Sequence, residues 1–221
     1  MKKCAVVLLS GGLDSATTLY YAKSQGYEPF ALIFDYGQRH RKEIHQAARL
    51  ARESGSRFQT VKIHLPWQGS ALLDKTTPLP RNRTIIPKEI PSTYVPARNI
   101  IFLSFAASYA EAMGARAIFI GANAIDYSGY PDCRPEFYAA YQLALRRGLK
   151  AGVEGHPIKI HTPLIRKTKA QIIRLGLKLR VPYHLTWSCY SGDRRPCGTC
   201  DSCILRAKGF AEAGIPDPLL A

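Results

Sequence analysis

An apolar run of five residues, Ala5–Leu9, passes straight into Ser10-Gly11-Gly12-Leu13-Asp14-Ser15, and a helical pattern over Ser15–Gln25 follows, closed by Gly26. A short apolar run of this kind reads as a strand buried on both faces. A strand that turns through two glycines into a helix is the first half of a βαβ unit, which commits the chain to a parallel sheet. The alternation continues. Pro29–Phe34 reads as a second buried strand. Arg41–Ser54 reads as a helix ended by Gly55, with Ile44, Ala47, Ala48 and Ala51 on one face. Phe58–Ile63 alternates as a third strand, and Ala117–Gly121 is the fourth. Arg98–Met113 is apolar on nearly all sides and is expected to be a buried helix. Pro135–Gly148 carries Pro in its first turn, and Thr168–Leu175 has Thr168 as N-cap and Gly176 as stop. The expected fold class is α/β, a doubly wound, mostly parallel, Rossmann-like sheet. Ligands of such sheets sit beyond the carboxyl ends of the strands. The stretches 10–15, 35–40 and 121–126 are therefore expected to converge on one crevice.

With 221 residues, 46% hydrophobic and 21% charged, the chain can bury a substantial core. The expected organisation is a main domain over 1–185 and a small segment over 186–221 packed on it. Between them in character lies His64–Pro96, which holds six prolines and no sustained period. A loop this long inside a compact domain is usually a lid or binding loop. No run approaches the roughly 18 apolar residues of a membrane span. The short apolar start runs directly into Ser10-Gly11-Gly12, which fits a first strand better than a signal peptide. A cytoplasmic location is expected. The formal net charge is +15, and fourteen Lys/Arg against three Asp/Glu fall between Arg146 and Lys208. Such a surface attracts polyanions (ATP, pyrophosphate or RNA) or is simply solvated.

The glycines of the first loop let backbone N–H groups approach an anion, Ser10 and Ser15 add hydroxyls, and the helix N-terminus adds unpaired amides. The spacing is neither GxxxxGK[ST] nor GxGxxG, so another class of phosphate loop is implied. Among six cysteines, Cys189, Cys197, Cys200 and Cys203 form C-x7-C-x2-C-x2-C. Four thiolates this close suit a closed, tetrahedral, structural zinc site; an iron–sulfur cluster or a redox dithiol is the alternative. Cys4 reads as a packing residue and Cys133 as a pocket residue. Arg39, just after the second strand, is placed to neutralise phosphate charge. Arg98 and Asn99, at a helix start, suit a carboxylate or phosphate clamp. Asp126 and Asp132 are suited to accept hydrogen bonds from an amine edge, with Tyr127, Tyr130 or Phe137 stacking on a ring.

The string SGGLDS resembles the PP-loop, SGGxDS, of the N-type ATP pyrophosphatases, which cleave ATP between the α and β phosphates and transfer AMP to a substrate oxygen. Three further stretches, Phe34–His40, Pro91–Asn99 and Asp126–Pro135, resemble the 7-cyano-7-deazaguanine synthase family, and with the cysteines the likeness runs along nearly the whole chain. Two departures stand out. Ala97 precedes Arg98 where many relatives have Gly, and Ala124-Ile125 precede Asp126 where many have Glu-Thr. The resemblance implies conversion of 7-carboxy-7-deazaguanine and ammonia, with two ATP, to a nitrile through an adenylate and an amide. It implies ATP phosphate contacts from Leu9, Ser10, Gly11, Gly12, Leu13, Asp14, Ser15 and Arg39. Ser10, Asp14, Ser15 and Arg98 are the expected catalytic residues. Arg98, Asp126, Tyr127, Tyr130, Asp132 and Arg134 are the expected substrate contacts. Structural zinc on the four cysteines, Mg2+ with ATP, a homodimer and no stable nucleic-acid partner complete the expectation. Alternatives are a tRNA-modifying PP-loop enzyme, a relative that stops at the amide or uses another acceptor, and a non-catalytic zinc protein that binds nucleic acid.

Overall fold

The computed structural model describes residues 3–67, 69–83, 89–123, 129–191 and 194–220. Strands β1 (Lys3–Leu8), β2 (Tyr27–Asp35), β3 (Arg57–Lys62), β4 (Ala117–Phe119) and β5 (Lys159–His161) form one sheet in the order β3-β2-β1-β4-β5, and every pairing is parallel. Helices α1 (Leu13–Ser24), α2 (Lys42–Glu53), α3 (Arg98–Ala112), α4 (Pro135–Gly148), the one-turn α5 (Lys150–Val153), α6 (Lys169–Lys178) and α7 (Asp201–Ala213) complete the chain. The doubly wound expectation holds.

The period of two along β1 divides the core. Ala5, Val7 and Leu9 pack with α1, α2 and α6 on one face, while Val6 and Leu8 pack with α3 on the other. After β3 the chain crosses from one edge region to the far side of β1. The reversal in strand order therefore lies between β1 and β4, where open α/β sheets leave a crevice.

Three expectations are corrected. Gly176 does not stop α6. The helix runs on to Lys178, and Gly176 is buried where a Cβ would stand 1.8 Å from the Tyr183 hydroxyl. Close packing, not termination, explains it, and Arg180 at φ 58° makes the turn instead. Helix α3 buries Leu103, Ala106, Ala107 and Ala110 but leaves Ile100 and Phe105 about two-fifths exposed, at 40% and 42%. β5 and α7 lay inside stretches where no element was expected. By contrast, Thr168 caps α6 as expected, in a reciprocal capping box with Gln171.

Candidate active site

The loop after β1 is the foundation of the site. Gly11 sits at φ 84°, where a Cβ would lie 2.3 Å from the carbonyl oxygen of Glu43. Only glycine lets this loop lie against the first turn of α2. Ser10 and Ser15 hold each other, with Oγ atoms 3.0 Å apart, and the Ser15 hydroxyl also accepts from the Ser10 amide at 3.2 Å. The first bond of the α1 ladder runs from the Ala16 amide to the Gly12 carbonyl. The amides of Leu13, Asp14 and Ser15 thus precede the ladder, a geometry that suits an anion at the helix start.

This loop lines a cavity of about 300 Å³ at the carboxyl ends of β1, β2 and β4. The sequence-expected residues Leu9, Ser10, Gly12, Leu13, Asp14, Ser15, Arg39, Arg98 and Tyr130 all reach its wall. Arg98 donates from Nη1 to the Tyr36 hydroxyl at 3.1 Å. Tyr130 is buried, and its hydroxyl lies 2.8 Å from Thr93 Oγ1. Burial pushes the Tyr36 phenol up to about 12 and raises that of Tyr130. Both remain protonated at neutral pH. The rings of Phe34 and Phe102 stack at 4.1 Å on the apolar side of the cavity, a surface suited to a flat ligand.

Arg39 has a second set of partners, and the remaining expected residues lie elsewhere. Arg39 donates from Nη2 to the carbonyls of Asp74 and Thr77, both at 2.9 Å, so it ties down the 64–96 loop while facing the cavity. Asp132 is buried behind the wall, where Oδ2 accepts from the Asn99 amide at 3.0 Å and secures the start of α3. Burial raises its carboxyl. Arg134 is exposed at the N-cap of α4 and is not part of the wall. Phe137 packs against Tyr138 and Tyr141 in the core layer under α4. Asp126 and Tyr127 lie outside the described residues.

Lys169 and Glu43 are charged wall residues that the sequence reading missed. Lys169, in the first turn of α6, meets both oxygens of Asp14 at 2.9 and 2.8 Å. Its stem is pressed by α7, where a Cβ on Gly209 would stand 2.3 Å from Lys169 Cγ. The ammonium thus takes up a place at the phosphate loop that no spacing within the loop could reveal. Glu43, in the first turn of α2, accepts from Gln38 Nε2 at 3.1 Å, and burial raises its carboxyl to about 7 against the opposing field of Arg98. Its only sequence signal was an acidic residue at a helix start.

Sγ atoms of Cys189, Cys197, Cys200 and Cys203 all lie within 4.8 Å of one another. Amides of Ser191 and Cys197 donate to the Cys189 sulfur at 3.3 Å, and that of Cys200 donates to the Cys197 sulfur at 3.4 Å. Such N–H···S bonds suit metal-bound thiolates, so the cluster fits a closed tetrahedral metal. The same segment reaches the candidate site, because the Trp187 amide donates to the Gly11 carbonyl at 2.9 Å.

A family model described as "Queuosine biosynthesis protein QueC" matches residues 4–214. The chain belongs to this family. A curated relative from Thermoplasma acidophilum, named 7-cyano-7-deazaguanine synthase, is 57% identical over 219 residues, covering 99% of this chain and 92% of that protein. A relative of the same name from Nostoc sp. is 54% identical, covering 97% of this chain and 96% of that protein. Among solved structures, NMN synthetase from Francisella tularensis superposes with a TM-score of 0.53 at 18% identity, over 97% of this chain and 78% of that one. At that identity the likeness is one of fold. In this QueC-family chain, no described helix is long and apolar enough to cross a membrane.

Proposed function

We propose that this chain converts 7-carboxy-7-deazaguanine and ammonia to 7-cyano-7-deazaguanine, consuming two ATP and releasing AMP and pyrophosphate. The observation that carries this reading is one cavity lined by both the Ser10–Ser15 loop and the partly buried Arg98, in a chain whose relatives bear that name. A carboxylate resists ammonia because oxide is a very poor leaving group. Transfer of AMP to that oxygen makes AMP the leaving group, so ammonia gives an amide, and a second adenylation on the amide oxygen allows the nitrile to form.

The protein's share is positioning and charge stabilisation. Ser10, Gly11, Gly12, Leu13 and Ser15 bind the pyrophosphate end of ATP, following on from Leu9. Lys169, oriented by Asp14, supplies positive charge there. Arg98 holds the substrate carboxylate, Tyr130 and the Phe34–Phe102 stack face the base, and Arg39 neutralises phosphate while fixing the loop. Asp126 and Tyr127 are assigned to base recognition, while Asp132 supports the wall through Asn99 and Arg134 lies away from it. Magnesium, when bound with ATP, offsets charge on the phosphate oxygens. The four cysteines hold one structural zinc, which makes residues 186–221 a strap on the domain of 1–185, and the loop over 64–96 excludes water. We further place the chain in the cytoplasm as a homodimer without a stable nucleic-acid partner; the exposed Ile100 and Phe105 of α3 support association.

Mass spectrometry of the products from 7-carboxy-7-deazaguanine, ammonia and magnesium-ATP tests the reading. Loss of two oxygens and gain of one nitrogen, with AMP, is expected. A persistent amide assigns the chain to a truncated version of the reaction, and an unchanged substrate rejects it.

A further inference from the structure

The proposed reaction must remove protons from nitrogen in both of its rounds. Ammonia that has attacked an acyl-adenylate sheds one proton as the C–N bond forms and the C–O bond to AMP breaks. The amide, once adenylated on oxygen, sheds both of its protons on the way to the nitrile.

Few groups near the described cavity can receive them. Asp14 is held through both oxygens by Lys169 at the phosphate end. Asp132 sits behind the wall on the Asn99 amide. Burial pushes Tyr36 and Cys133 up to about 12, so both keep their own protons at neutral pH. Glu43 is different. Its backbone is fixed against the phosphate loop at Gly11, and its side chain lies on the cavity wall. The buried Gln38 amide holds Oε1 in place, because Gln38 accepts from the Tyr36 amide at 2.8 Å and donates to the Phe34 carbonyl and to Glu43, each at 3.1 Å. Every polar atom of that amide is thereby oriented. The Oε2 atom of Glu43 makes no hydrogen bond among the described residues. The charged and titratable groups acting on it are Arg98 from α3 and Tyr36 from the turn after β2. Burial raises its proton affinity, and the field of Arg98 and the hydrogen bond from Gln38 pull it back, which leaves it at about 7.

We propose that Glu43 is the proton acceptor for the nitrogen nucleophile, its carboxylate presented by Gln38 on the wall between the phosphate loop and Arg98. In the first round the nitrogen lone pair forms the C–N bond, an N–H proton passes to Glu43, and AMP leaves with the C–O electron pair. In the second round one N–H proton passes to Glu43, the freed pair becomes the third C–N bond as AMP departs, and the last N–H proton follows. Between transfers Glu43 returns its proton to water. This inference rests on the function proposed above.

The test compares the native enzyme with Glu43→Gln, which keeps the side-chain shape. Isotope exchange between pyrophosphate and ATP, dependent on 7-carboxy-7-deazaguanine, reads adenylation alone. Amide formation from ammonia reads the proton-accepting step. In the variant, exchange is expected within about threefold of native while amide formation falls by about 100-fold or more, with partial recovery in Glu43→Asp. Amide formation that stays within threefold of native overturns the proposal. Equal loss of exchange also overturns it, since Glu43 then serves adenylation. A defect found in His40→Gln, on the same wall, with Glu43→Gln unaffected, transfers the role to His40. No substrate-dependent exchange in the native enzyme rejects the parent reading before any variant is compared.

Discussion

Ala97 is the residue most out of keeping with its own backbone. It holds φ 54° and ψ 21° at the N-cap of α3, a left-handed conformation in which Cβ crowds the following carbonyl. Its amide is engaged by the Tyr94 hydroxyl at 3.1 Å, so the turn is held in place. Glycine adopts this conformation without the steric cost. Ala97→Gly is therefore expected to stabilise the chain by about 1 kcal/mol, less the extra entropy of the unfolded glycine. Thermal unfolding would show a rise of a few degrees, and an unchanged or lower midpoint would refute the strain. At this scale the sequence was only partly legible. The departure at Ala97 stood out against the family pattern, and the phosphate loop was readable because its chemistry is contiguous. Lys169 lies 155 positions from its partner Asp14, and Glu43 looks like any polar residue on an amphipathic helix. Contacts made by folding cannot be read from local spacing.

Among elements, the cysteine segment and the long loop act as one wall. Arg81 pairs with Cys200 as an isolated antiparallel bridge, and the Asn82 amide donates to the Thr199 carbonyl at 2.8 Å. Arg81 also reaches Ser191, and Arg83 lies 3.9 Å from the buried Asp201. Farther back along the loop, Arg39 holds Asp74 and Thr77. Cys200→Ser removes a proposed zinc ligand and is expected to abolish stoichiometric zinc, measured by elemental analysis. It should also speed amide hydrogen exchange around Asn82, while β1 stays protected. Loss of zinc with unchanged exchange at Asn82 would mean that the loop is held independently. The prolines set this stretch apart in the sequence, but its anchors at Asp74, Thr77 and Asn82 gave no sign there. β5 escaped notice because Lys159-Ile160-His161 offers a single aliphatic residue, and tertiary pairing with β4 makes it a strand. α7 escaped because its helix is bound up with its packing on α6, through Gly209 and Lys169.

For the whole molecule, buried carboxyl groups couple stability to pH. Burial raises Glu43 from 4.5 to about 7. Between those values the native state binds more protons than the unfolded chain, so this group's contribution to stability is full below about 4.5 and declines as pH rises through about 7. Burial also raises Asp132 and Asp201, with the same sign, while His161, lowered by burial, contributes the opposite slope. Glu43→Gln removes the largest of these carboxyl terms. Its unfolding midpoint relative to native is expected to climb between pH 5 and pH 8, and a difference that stays flat across that range would refute the linkage. The overall architecture was the most legible level, because strand-helix alternation and parallel pairing follow from simple periodicities; the order β3-β2-β1-β4-β5 came only with the fold.

The hydrogen bond from Trp187 to Gly11 joins residues 176 positions apart, so its donor is synthesised well after its acceptor. Lys169 and the helix that presses it are also late products of synthesis. A nascent chain therefore carries this loop, with its Ser10–Ser15 pair and the α2 turn beside it, well before these later contacts can form. Two of the contacts that shape the loop are therefore supplied by chain made only after the loop itself.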